Sequence, residues 1–114
     1  MKPVILIDRY TGTSTSWQKV VEWKVGDAWG LPKGKLMELG LVSSDYSKTS
    51  FRINIMGKDL IENKQVQAAT NIPFYEPLKL SKGDKVTVHA KSTDGTSVTV
   101  DARIVGVELD EGED

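Results

Sequence analysis

Residues 85–109 read KVTVHAKSTDGTSVTVDARIVGVEL, and the order of apolar and polar residues along them decides the fold class. Val86, Val88 and Ala90 alternate with Lys85, Thr87, His89 and Lys91, the period of a strand with one buried face. Val98, Val100, Ala102 and Ile104 alternate with Thr99, Asp101 and Arg103, which predicts a second strand. The apolar phase then slips by one residue and continues as Val105, Val107 and Leu109. Such a slip predicts a bulge or a change of sheet beside Gly106. The connection between the two strands is open to two readings. A hairpin around Thr93-Asp94-Gly95 would set Val88 against Val100 and Ala90 against Val98. Alternatively, residues 91 to 97 cross from one sheet to another.

Upstream, the same period returns. Phe51, Ile53 and Ile55 alternate with Arg52 and Asn54, and Gly57-Lys58 predicts a tight turn into Leu60-Ile61. From Lys35 onward, Met37, Leu39, Leu41 and Ser43 are expected on one face, with Leu36, Glu38, Gly40 and Val42 on the other. Trp17, Val21, Trp23 and Val25 are expected to share a face and fill the core. Strands thus recur every ten to fifteen residues or so, punctuated by GD, PKG, SSDYS, GKD, KGD and TDG. That rhythm predicts an all-β antiparallel sandwich or barrel. The expected core is Leu39, Leu41, Phe51, Ile53, Ile55, Val86, Val88, Val98, Val100 and Ile104.

The N-terminus is apolar on both faces at Pro3-Val4-Ile5-Leu6-Ile7, then turns polar at Thr11 to Ser16. Two-sided apolarity calls for burial on both sides. The segment is therefore either an internal strand of its own sandwich or an arm added to a neighbour's sheet. The chain divides into this strand or arm with its linker (1–16), a sandwich domain (17–109) and a solvated acidic tail (110–114).

Composition narrows function. The 114 residues hold fifteen Lys and Arg against sixteen Asp and Glu, with no basic block to neutralise phosphates, so nucleic acid is not expected as a partner. No apolar run approaches membrane-spanning length, and the apolar run after Lys2 meets Asp8 too early for a signal peptide. There is no cysteine and one histidine, so neither a disulfide nor a thiolate or polyhistidine metal site is expected. Calcium held between loops is the remaining metal chemistry, though no D-x-D-x-D-G loop occurs. Acyl-transfer catalysis would need His89 beside Ser92, Ser97 or Asp101, without any nucleophile-elbow sequence. A non-enzymatic protein with no cofactor is expected. Trp29, in GDAWGLPKG, and Phe74-Tyr75, after Pro73, are the aromatic candidates for contacts outside the domain.

Three runs carry a resemblance: W-x-x-V-V-E-W-x-V from Trp17, G-K-L-x-E-L-x-L-V-S-S from Gly34, and F-R-I-N-I-x-G-K-x-L from Phe51. The closing L-x-L-S-K-G-D-K-V-T-V-x-A-K-S-T-D-G-T-S-V-T-V-D-A-R-I-V-G-V-E-L joins them. In strand order and turn chemistry this resembles the jelly-roll decoration (cement) proteins of tailed-phage capsids, over residues 17–109. The resemblance implies a protein made in the host cytoplasm and placed on the virion exterior. It implies a homo-oligomer, with a trimer favoured, that clamps the major capsid protein partly through a terminal arm. Val4, Ile5, Leu6, Ile7, Trp29, Phe74 and Tyr75 are then the expected contact residues. Carbohydrate- or receptor-binding jelly rolls, with Trp29, Tyr46 and Tyr75 stacking on sugars, share much of the pattern, as do phage tail components.

Overall fold

The computed structural model describes residues 1–114. Eight strands run in chain order: β1 (Lys2–Gly12), β2 (Gln18–Lys24), β3 (Lys33–Ser43), β4 (Thr49–Ile55), β5 (Lys58–Lys64), β6 (Thr70–Ser81), β7 (Lys85–Ser92) and β8 (Val98–Leu109). They form two antiparallel sheets, ordered β1-β8-β3-β6 and β2-β7-β4-β5. Every connection crosses between sheets except the β4–β5 hairpin. This is the two-sheet, eight-strand jelly roll.

The crossing explains the β7–β8 connection. Val88 and Val100 are both buried in the core, but they come from different sheets and do not share a ladder: β7 pairs with β2 and β4, and β8 with β1 and β3. Residues 93–97 are the crossover, with Gly95 at φ 87° and its N–H donating to Ser92 Oγ. The β4–β5 turn falls on Met56 and Gly57, both at positive φ (54° and 81°), as a two-residue hairpin of this hand requires.

All ten residues of the expected core are buried, joined by Val4, Val20, Val21, Trp23, Val25 and Leu36 among others. Three local expectations fail, two of them at bulges. In β2 the register slips between Lys19 and Val21, so Val20 and Val21 both turn inward. Trp17 is thereby rotated out of the core and lies beneath Arg52 and Lys91, 5.2 and 4.5 Å from its ring centre. In β3 the extra residue is Met37, which is exposed, while Leu36 and Leu39 on either side are buried. In β8, by contrast, there is no slip. Alternation continues to the end, placing Gly106 and Glu108 inside and Val105 and Val107 on the outer face. The slack expected there is taken up by Met37 across the ladder.

Gly106 is required by packing. A Cβ built on it would lie 2.5 Å from the Lys35 carbonyl oxygen and 2.8 Å from Trp23 Cζ3. Gly106→Ala is expected to cost about 1–3 kcal/mol, toward the upper end because the obstacle is backbone. A urea melt within about 0.5 kcal/mol of the parent would contradict this packing.

The N-terminal segment pairs with β8 without interruption from Lys2↔Glu108 to Gly12↔Val98. Of the two readings left open by the sequence, this chain shows the strand of its own sandwich. Only Val4 is fully buried; Leu6 is half-buried, and Ile5 and Ile7 are 64% and 67% exposed. The acidic tail is exposed for most of its length but not free of contacts: Glu113 accepts from the Met1 amine and the Asp110 N–H, and Lys33 Nζ reaches the Glu111 and Glu113 carbonyls.

Candidate interaction surfaces

The two sheets present different outer faces. On β2-β7-β4-β5 the face is polar, with Trp17 under its two cations, a Lys19–Glu22 pair at 3.7 Å and Thr87 Oγ1 donating to Glu22 at 2.9 Å. His89 lies here, and its Nδ1 is buried without a partner. Burial, then the Arg52 cation, holds its imidazole below the usual histidine range. Its NMR titration midpoint is therefore expected below about 6.5, and Arg52→Gln is expected to raise it. A midpoint at or above the free value would contradict the burial. His89 and Asp101 occupy opposite outer faces, while Ser92 is buried with its Oγ donating to the Thr96 carbonyl. No Ser-His-Asp arrangement forms, and no three His, Cys, Asp or Glu side chains gather into a metal-binding group.

On β1-β8-β3-β6 the outer face is apolar along one side. Register places Pro3 beside Val107 and Ile5 beside Val105, while Ile7 lies beside Arg103. Val42, 43% exposed, sits across from Asp101 on β3. Charges frame the strip. Arg9 grips Asp101 with two bonds of 2.7 and 3.1 Å, and Arg103 lies over Gly40 to reach Glu38 at 3.2 Å. The Arg9 pairing draws the Asp101 carboxyl below its usual range.

Trp29 is set by a buried carboxylate. Glu108 Oε2 accepts from Trp23 Nε1 (3.0 Å), Gly26 N (2.9 Å) and Ala28 N (3.3 Å). Its Oε1 accepts from Trp29 N at 2.8 Å and Leu31 N at 3.5 Å. Burial alone, the largest influence, pushes the carboxyl up; the indole and backbone N–H groups together outweigh it and hold Glu108 below its usual range. So anchored, Trp29 folds over the start of β1, donating from Nε1 to the Pro3 carbonyl at 2.7 Å, with Lys2 Nζ over its ring at 4.8 Å. It remains 49% exposed.

Phe74 and Tyr75 part company. The β3–β6 register jumps from Leu36↔Leu78 to Glu38↔Pro73, which lifts residues 74–77 off the ladder opposite Met37. Phe74 packs against the core, and Tyr75 stands 97% exposed. Of the expected contact residues, then, Val4 is committed to the core, Leu6 and Phe74 largely so, and Ile5, Ile7, Trp29 and Tyr75 remain outward. Glu108 was missed in the sequence because it occupies the polar slot of an apolar alternation.

No family model and no curated protein matches the sequence. Among solved structures, a chain from the acidic stable capsid structure of Helicobacter pylori bacteriophage KHP30 superposes with a TM-score of 0.56. The match covers 96% of this chain and 95% of that one, at 8% identity. The two chains share a fold.

Proposed function

We propose that this chain is a structural protein of a phage virion, of the decoration type, that binds the shell's major capsid protein and adds buried interface across its subunits. The observation that supports it best is the end-to-end match of the jelly roll with a chain from a phage capsid structure. The contact surface would be the apolar strip of Pro3, Ile5 and Ile7 with Val105 and Val107, together with Tyr75. An exposed apolar strip framed by charges is the composition of a protein interface. The sugar-binding reading has less support, because Trp29 and Tyr46 lie beyond opposite ends of β3, an 11-residue strand, about 35 Å long at the usual rise. They do not make one stacking platform. Mass spectrometry of purified particles from cells producing this protein is expected to find it in stoichiometric amounts. Its absence from particles would overturn the reading.

A further inference from the structure

The four sheet edges are unequally guarded. Edge strand β2 is broken by its bulge and flanked by Lys19 and Lys24. Edge strand β5 carries Lys58, Asp59, Glu62 and Lys64 and two register shifts. Edge strand β6 holds Pro73 and Pro77 and the excursion between them. Bulges, charges and prolines are the devices that keep an edge from pairing. Strand β1 has an unbroken register over eleven residues and no charge from Pro3 to Ile7.

Its backbone groups show where pairing stops. In an antiparallel ladder alternate residues turn both N–H and C=O away from the partner. The Pro3 carbonyl bonds Trp29 and the Arg9 N–H bonds Asp8 Oδ1 at 2.8 Å, so the odd-numbered residues are those facing away from β8. At position 3 there is no N–H and the carbonyl is taken; at position 9 the N–H is taken. Between them Ile5 and Ile7 make no backbone hydrogen bond outside the β8 ladder, and their side chains are exposed.

We propose that β1 pairs with β1 of a second copy about a two-fold axis through Leu6. This rests on the structural-protein reading above only in naming the protein's own copy as a partner. In that register Ile5 meets Ile7 of the second copy, and each such pair exchanges two backbone bonds. Pro3 meets Arg9 of the second copy, where each chain has already satisfied most of its own groups, so the ladder ends without orphans. Asp8 falls diagonal to Lys2 of the second copy, and neither is in an ion pair within one chain. Leu6 meets its own equivalent at the close, non-bonded spacing. It lines a cleft of about 190 Å³ with Glu22, Trp23, Lys24, Asp27 and Ala28, which the second Leu6 would cover.

Sedimentation equilibrium of the purified chain is expected to show a concentration-dependent dimer. Ile7→Pro removes one bond from each Ile5–Ile7 pair without touching the β8 ladder, and is expected to weaken the dimer about tenfold or more with unchanged circular dichroism. Ile7→Lys, which keeps the backbone donor, is the second variant should the proline perturb β1, and is expected to weaken the dimer likewise by its charge. Leu6→Cys, in a chain otherwise free of cysteine, is expected to cross-link on oxidation, and Asp8→Cys is not. A chain that stays monomeric at every concentration overturns the proposal, as does a trimer or a dimer indifferent to both Ile7 variants. Any of these outcomes leaves the particle-composition test above unaffected.

Discussion

Glu108→Gln is expected to lower the unfolding free energy by about 3–5 kcal/mol, the scale for breaking one partner of a buried charged network. The carboxylate is fully buried and both of its oxygens accept, from Trp23 Nε1 and the backbone N–H groups of Gly26, Ala28, Trp29 and Leu31. An amide of the same shape turns an NH₂ toward donors at one end and carries no charge at the other. The loop from Val25 to Pro32 then keeps donors facing a donor, which costs more than losing a bond. The pH dependence has a definite sign. Because the folded carboxyl titrates below its usual range, its contribution is complete above the unfolded value of about 4.3 and is lost as pH falls through the folded value. Denaturant melts of parent and variant should therefore differ by a constant amount from neutrality to mildly acidic pH and converge in stronger acid. A gap that widens with acid, or no gap at pH 7, would refute this role.

Ile53→Ala is expected to cost about 3–5 kcal/mol, within the upper part of the range for buried large-to-small changes. Ile53 is wholly buried on β4, an internal strand, with Val88 opposite on β7 and Ile61 opposite on β5. Ladders on both sides hold the backbone, so the cavity cannot collapse. Ile5→Ala and Ile7→Ala, at the exposed edge, are expected to change stability by less than about 0.5 kcal/mol. Urea melts of the three variants check the contrast. Equal losses at 53 and 5 would mean the inner and outer faces are exchanged.

Strand positions and the inner face of β4, β7 and the first half of β8 were legible because period-2 alternation there is uninterrupted. What stayed hidden has two physical causes. A bulge moves phase by one residue, and where apolar residues flank it on both sides, as at Val20-Val21 and Leu36-Met37, the sequence offers no sign of which one is extra. The end of β8 misled for the opposite reason. Val105 and Val107 are apolar because they lie on an outer face with neighbours of its own, and Glu108 is inside because five N–H groups wait there. The one available signal was the loop it serves: GDAWGLPKG offers many backbone donors and few side-chain acceptors. For the seven expected contact residues, which of them turn inward and which outward followed from the register and not from the sequence.

The place of β8 in its sheet has a consequence for how the chain is made. It lies between β1 and β3, pairing with both, yet it is the last strand in sequence. During synthesis β1 and β3 therefore leave the ribosome with no ladder between them, and β1 waits for a partner nearly a hundred residues later. Only β4 and β5 close locally. Folding of such a non-local topology is intrinsically slow, and its unpaired strands are exposed while it waits. The nascent chain can complete neither sheet β1-β8-β3-β6 nor the burial of Trp23 until Gly106 and Glu108 have emerged, so a ribosome paused before residue 98 holds a chain whose core is still open.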